Sequence, residues 1–347
     1  MTVKENLAYL KYFGFRLTFW KTVNKIVCDR SDGKLAWDIH NKNYRAIEAY
    51  LMKVCAPVIS DLKNRRLEDR DDFRYCDSEK SKMIKKNQTI WTMWWQGEAS
   101  APPLVKACFE SMRKNSNGRK VIIIDEDNIK DYLCVPDRIM KCLYDGFEDR
   151  SLLGGTTLTL THFSDVVRVM LLYQYGGLWM DSTIFLTDDV PDSYFDAAWV
   201  TLGEDDRWYV AEGKWSIFFV GATAGSEIMH YLYSMHLSYL EEKRYYVTYL
   251  MIYNILHIMY VERPDIAKVM DGVDCGNAQV LTMNRRYNDP VSEDEIEDFL
   301  ARQKIHKLSW KWWGNEKDCP IHLTDAQGRM TWFGYLYDKY ITRGQTV

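Results

Sequence analysis

HFSDVVRVMLLYQYGGLWMDSTIF, residues His162 to Phe185, decides how this chain is read. Its first half, Ser164 to Tyr175, is a mostly apolar run and predicts a helix. Gly176-Gly177 then ends that helix, because glycine adopts the left-handed backbone of a helix terminus cheaply. Leu178 to Met180 predict a short strand, Asp181 follows at its C-terminal edge, and Ile184 to Leu186 predict another short strand. Asp165, Arg168 and Asp181 interrupt the apolar run. Buried charges are costly unless they are paired or bind something. Open α/β sheets collect their ligands at the C-terminal ends of strands. Ser164 is expected to cap the helix, with Asp165 in its first turn facing the positive end of the dipole. Asp165 and Arg168 are three apart and share a face. Two readings stay open here: a ligand site, or a structural ion pair with Asp181 as a turn residue.

The flanking sequence supplies a sheet. Thr89 to Trp95 is β-branched and aromatic and predicts a buried first strand. Pro102-Pro103 opens a helix over Leu104 to Met112, and Val121 to Ile124, ended by Asp125, predicts a central parallel strand. Strand, helix, strand at this spacing implies a βαβ unit. A further helix runs through Tyr144. Downstream, strands are expected at Trp199–Leu202 and Ser216–Val220, and helices at Ser226–Leu240, with Ser226 as N-cap, and Val247–Tyr260. The tail from Ile305 onward reads as irregular.

The N-terminal part is different in character. Leu10, Phe13, Leu17, Trp20 and Val27 form one apolar stripe at helical spacing. Lys4, Lys11, Arg16, Lys21, Lys25 and Arg30 surround it, against Glu5 and Asp29. Such a helix either packs on the main domain or lies on an anionic membrane. Residues 61–88 are dense in charge and predict a solvated helix and linker. The expected division is a helical extension and linker over residues 1–85 and an α/β domain over residues 86–347.

With 347 residues, 47% hydrophobic and 27% charged, the chain can build a sizeable core. A net charge of -4 argues against a nucleic-acid binder. Aromatics reach 14%, which suits either a heavy core or stacking on sugar faces. The eight cysteines include no CxxC pair and read as thiols of a reducing compartment. No signal peptide and no membrane-spanning run is evident, so the expected location is cytoplasmic, with peripheral contact at the inner membrane face. GxSxG, P-loop and GxGxxG patterns are absent, and the histidines, His230 and His236 included, show no metal-ligand spacing.

SDVVR, then LLYQYGG and LWMDST, resembles the sugar-donor segment of bacterial capsular-polysaccharide-synthesis glycosyltransferases. It is also similar to the DxD-containing transferases that include yeast mannosyltransferases and the large clostridial glucosylating toxins. IWTMWWQG looks like the family's first strand, with Trp94 matching the tryptophan that stacks on the donor's base. HKLSWK resembles a C-terminal element that closes over the donor, so the resemblance covers residues of about 90 to 310. It implies an α/β fold of GT-A type with a Rossmann-like half and a mostly parallel sheet. It implies a retaining hexosyltransferase that takes a nucleotide-diphosphate sugar to an oligosaccharide or lipid-linked glycan acceptor, with Mn²⁺ or Mg²⁺ as cofactor. Residue by residue, it implies donor binding at Trp94, Asp165, Arg168, Gly176, Gly177, Asp181, Ser182, Lys307, Ser309 and Trp310, and metal ligation at Asp181, Thr183 and His306.

One departure stands out: Thr183 occupies the place of the second aspartate of DxD. A hydroxyl is a weaker ligand without charge, so either Asp181 carries the metal with help from the C-terminal segment, or metal dependence is reduced. Glu204-Asp205-Asp206 reads as an acceptor-side carboxylate cluster or a solvated turn, and Trp310, Trp312 and Trp313 as a sugar platform or core. No catalytic nucleophile is identifiable. The rival readings are a sugar-phosphate transferase of capsule assembly and a degenerate, non-catalytic carbohydrate-binding protein.

Overall fold

The β-branched and aromatic runs pair into sheets, as their buried patterns require. The computed structural model describes residues 3–31, 33–144, 158–203, 210–243, 245–272, 279–310 and 322–342. Among these residues the strands are β1 (Thr89–Met93), β2 (Lys120–Ile124), β3 (Gly177–Met180), β4 (Ile184–Leu186), β5 (Trp199–Thr201), β6 (Phe219–Ala222) and β7 (Ile305–Lys307). The central sheet has the order β2-β1-β3-β6-β5. β1 runs parallel to both β2 and β3, while β6 is antiparallel to β3 and β5. Within the central sheet all strands but β6 therefore point one way, and the fold is α/β with a mostly parallel sheet. The Pro103–Lys114 helix links β1 to β2, as the βαβ pattern predicts, and Pro103 opens it. β4 and β7 form a separate antiparallel pair.

The Leu160–Tyr175 helix enters β3 directly. It is buried on nearly every side, through Phe163, Val166, Val167, Met170 and Leu171 among others. This explains an apolar run with no polar face. It begins earlier than the sequence suggested: the cap is Thr159, whose hydroxyl accepts the His162 N–H at 3.4 Å. Ser164 is not the cap, and Asp165 does not lie in the first turn. Packing extends the helix, because His162 stacks on Tyr246 and Phe163 meets Trp95 edge-on. β6 also lies later than Ser216–Val220. Ser216 is drawn into a turn whose N–H donates to the Thr201 hydroxyl at 2.9 Å. The Glu227–Glu242 helix starts after Ser226, but the serine side chain makes no cap bond. The next helix is Met251–Glu262. The tail from Ile305 is not irregular at its start, since β7 pairs with β4.

The N-terminal segment forms the helices Val3–Cys28, Lys34–Val54 and Ala56–Lys63, the first broken at Gly14. Tyr9, Phe13 and Leu17 join Ile47, Leu51 and Val58 in a core continuous with Trp91 and Trp179 of the sheet. Each such side chain contributes about 1.5–3 kcal/mol by leaving water. Leu10 departs from the expected stripe and is exposed. Residues 61–88 are less solvated than their charge implies, for Leu67, Phe73 and Cys76 are buried. The Cys76 carbonyl accepts from Gln174 Nε2 at 2.8 Å, tying this stretch to the helix before β3. His230 and His236 are buried too, the first against Asp72 at 3.0 Å.

Candidate functional site

Strand alternation sets the geometry of the site. Residues i and i+2 share a face, so Trp179 and Asp181 project together at the C-terminal end of β3. Trp179 Nε1 donates to Asp181 Oδ1 at 2.9 Å, and the Asp181 N–H donates to the Phe218 carbonyl at 2.8 Å. The parallel pairing of β1 with β3 sets Trp91 beside Trp179. That register carries Trp94 and Trp95, just past β1, to the same sheet edge. A cavity of about 660 Å³ opens there, lined by Trp94, Trp95, Gln96, Ser100, Ser164, Arg168, Trp179, Asp181, Ser182, Thr183, Lys307 and Trp310, among others. Its size suits a small-molecule ligand.

The second sheet completes the wall. β7 lies antiparallel to β4 with Lys307 opposite Ile184, and the Leu308 N–H donates to the Thr183 carbonyl at 2.9 Å. This fastening places the Lys307 ammonium between two side chains of the aspartate turn. Lys307 Nζ donates to Asp181 Oδ2 at 2.8 Å and to Thr183 Oγ1 at 2.8 Å. Trp94 and Trp310 meet edge-on at 5.7 Å between ring centres.

Behind them stands Arg168, only 4% exposed. Its guanidinium donates to the Ile217 carbonyl at 2.7 Å, to the Ser164 carbonyl at 3.1 Å and to the Ser164 hydroxyl at 3.0 Å. It also pairs with Asp165 at 3.0 Å and Asp181 at 3.5 Å. Arg168 is therefore first a bracket that joins the helix to the strand end, although it lines the cavity. Asp165 lies behind Arg168 and off the cavity wall. Burial, outweighing the Arg168 charge and aided by the Asp181 charge, pushes its carboxyl up to about 7. Burial pushes Asp181 the same way. Lys307 and Arg168, with hydrogen bonds from Lys307 and Trp179, overcome this and hold it below the ordinary carboxylate range. Arg168, Asp181 and Lys307 thus alternate in sign, with the Asp165 carboxyl behind them.

The structure does not bring every expected residue to the cavity. Gly176 and Gly177 lie at the opposite end of β3. Both have positive φ, 67° and 96°, and a Cβ would meet protein: Asn87 Oδ1 at 2.0 Å from Gly176, the Thr89 carbonyl oxygen at 2.2 Å from Gly177. What approaches these glycines is the chain's own Asn87 and β1, not a ligand. His306 points away from Lys307, as alternation along a strand demands. It is fully buried, beside Phe185 and Phe299, and burial pushes its imidazole down to about 3. Ser309 is half-buried off the wall, its N–H donating to the Tyr287 hydroxyl at 3.1 Å. Glu204-Asp205-Asp206, Trp312 and Trp313 lie outside the described residues. Trp179, Gln96, Ser100 and Ser164 were not expected in the site. Gln96 and Ser164 lie inside the IWTMWWQG and SDVVR segments, and Trp179 stands two residues before Asp181, so of the four only Ser100 carried no signal.

The expected metal ligands do not form a set that fits a divalent cation. Mg²⁺ in particular takes one or two protein carboxylates, with water and substrate phosphates completing its shell, so a free carboxylate is the least the site must offer. Here His306 is turned away, Thr183 brings no charge, and the Asp181 oxygens already accept from Trp179 and Lys307. Among the described residues, no three His, Cys, Asp or Glu side chains come together as a metal site.

No curated protein matches the chain. Among solved structures, "PaToxG Glycosyltransferase" is similar with 13% identity and a TM-score of 0.34, over 66% of this chain and 83% of that one. The family model described as "Capsular polysaccharide synthesis protein" matches residues 43–321, most of the chain, and the protein belongs to that family.

Proposed function

We propose that this protein is a GT-A-type glycosyltransferase of capsular or other surface-polysaccharide synthesis. It moves a hexose from a nucleotide-diphosphate sugar to a glycan acceptor, oligosaccharide or lipid-linked. The observation that carries this reading is the Asp181–Lys307 pair at the strand edge, inside a cavity walled by Trp94 and Trp310. Aromatic rings suit a base or sugar face, and fixed cations suit a diphosphate. In the reaction, the bond between the anomeric carbon and the β-phosphate oxygen breaks, and its electron pair stays on that oxygen. The acceptor hydroxyl oxygen forms the new bond, and its proton passes to the departing diphosphate. Trp94 stacks on the base, Ser182 binds a donor hydroxyl, and Lys307 and Arg168 oppose the charge that develops on the leaving group. Asp165 acts through Arg168, which it orients. Retention at the anomeric carbon belongs to this reading, and the anomeric coupling of the product by NMR checks it.

The test is a panel of nucleotide sugars given to the full chain with a lipid-linked oligosaccharide acceptor. Release of a nucleoside diphosphate is expected. A nucleoside monophosphate would instead mark a sugar-phosphate transferase, and no turnover or binding of any donor would sink the reading.

Contact with the inner membrane surface is part of the same proposal. Among the described residues no helix is long and apolar enough to cross a membrane. The Val3–Cys28 helix, however, exposes Leu7, Leu10, Phe15, Phe19 and Ile26, with Phe15 at 74%, beside exposed Lys11, Arg16, Lys25 and Arg30. After the break at Gly14, Phe15, Phe19 and Ile26 recur at helical spacing, and an exposed apolar strip beside cations suits an anionic bilayer. Phe15→Ser with Phe19→Ser should cut sedimentation with anionic vesicles about tenfold or more. These two exposed positions test the idea better than truncation, which would remove core residues Tyr9, Phe13 and Leu17. Equal sedimentation would refute the contact.

A further inference from the structure

The aspartate turn holds a cation of its own. Lys307 Nζ sits 2.8 Å from Asp181 Oδ2 and 2.8 Å from Thr183 Oγ1, bridging the two side chains expected to share a metal. We propose that this ammonium replaces a divalent cation, so that the site binds and discharges the nucleoside diphosphate without metal. The inference rests on the glycosyltransferase reading and goes beyond it.

Charge matching is the first argument. Two carboxylates carry a charge that balances a divalent ion. One carboxylate and one hydroxyl carry a single charge, which one ammonium balances. Thr183 is thus not a weakened ligand but the partner an ammonium needs: its oxygen accepts a hydrogen bond and adds no charge. A divalent cation at the same place would have to displace Lys307 or sit against it, and like charges at such distances repel strongly.

The second argument is how firmly the lysine is placed. It belongs to β7, whose pairing with β4 sets Lys307 opposite Ile184, two residues beyond Ser182. The Lys307 N–H donates to the Val280 carbonyl and the next N–H to the Thr183 carbonyl, both at 2.9 Å. The ammonium also lies 5.2 Å from the centre of the Phe218 ring. A side chain held this way needs little reorganisation when negative charge arrives, which is the condition for electrostatic stabilisation of a leaving group.

The third argument is spare capacity. An ammonium has three N–H bonds. Among the described residues two are taken, by Asp181 and Thr183. The side chain lines the cavity and is 20% exposed, so the remaining donor can reach a ligand there. Asp181, by contrast, is committed on both oxygens, to Lys307 and to Trp179. The aspartate's role becomes holding the lysine, and the lysine's role is meeting the phosphate.

The experiment is isothermal titration of the full chain with UDP, GDP, ADP, CDP and dTDP, in EDTA and again in Mn²⁺. At least one diphosphate should bind the wild type with affinities in the two conditions within about twofold of each other. Lys307→Met, with folding checked by circular dichroism and thermal melting, should weaken binding in EDTA at least about tenfold. The wild-type comparison needs no variant and stands even if that one fails to fold. Binding that vanishes in EDTA and returns with Mn²⁺ would overturn the inference and leave the glycosyltransferase reading intact. So would a folded Lys307→Met protein that binds as tightly as wild type in EDTA. No binding of any diphosphate in either condition would overturn both.

Discussion

At one end of β3, Gly176 and Gly177 close on the chain itself, and a Cβ on Gly177 would stand 2.2 Å from the Thr89 carbonyl oxygen. At the other end Asp181 opens on a cavity and shares its carboxylate between Trp179 and Lys307. Both ends belong to one continuous motif, and in the sequence both look like parts of a ligand site. The difference teaches that a motif can be split between construction and chemistry. The glycines let the helix turn into the sheet at minimal separation, and that turn delivers aspartate to the correct edge. One end is buried and answers to packing. The other is partly exposed, with the Asp181 side chain 26% accessible, and faces the cavity.

The comparison breaks most visibly at the glycine end. Gly177→Ala should cost about 3–5 kcal/mol of stability, because a positive φ and a backbone clash cannot both be relieved by a side-chain shift. Urea unfolding measures this, and a variant as stable as wild type would return the glycines to the list of ligand residues. At the other end, Asp181→Asn should lower transfer about a hundredfold while the melting temperature moves by only a few degrees. Full turnover would remove Asp181 from the site, and a collapse in stability would make it a packing residue like the glycines.

The smallest effect is expected behind the site, at Asp165. Its folded carboxyl is raised to about 7, so between the unfolded value of about 3.9 and that point the folded state holds more protons than the unfolded one. The stability this carboxyl contributes is full at acid pH and lost as pH rises toward 7. Asparagine cannot titrate, so the wild type's stability relative to Asp165→Asn should fall by more than about 1 kcal/mol from pH 4.5 to 7.5. Parallel unfolding curves across that range would mean that the carboxyl is not desolvated in the folded protein.

Much of the fold was legible in the sequence because its signals are local. Val121–Ile124 reads as a parallel strand from its β-branched residues, although β2 lies at the edge of the sheet and not at its centre, and Pro103 and Gly176 mark helix ends by their own backbone limits. The start of the helix before β3 was misread, since Thr159 caps it and Ser164 instead receives Arg168. Local capping rules cannot see that Trp95 and Tyr246 bury another turn. The charge of residues 61–88 hid the buried Leu67, Phe73 and Cys76 for the same reason. In the site, Asp181, Ser182, Arg168, Trp94, Lys307 and Trp310 were named from motifs, and all line the cavity. His306 was named from the same motif as Lys307 and faces the opposite side of its strand.

The sequence by itself determined the family, the α/β class, and the position of an aspartate at a strand end after a glycine turn. These follow from residue types at short spacings, where backbone sterics and hydrophobic periodicity act. Only the tertiary structure decided which cation that aspartate meets. Lys307 lies far along the chain from Asp181, and its place depends on β7 pairing with β4 in one register. A shift by one residue would bring His306 to the cavity instead of Lys307, because strand side chains alternate. Long-range pairing therefore chose the charge of this site, and no local pattern contains that choice.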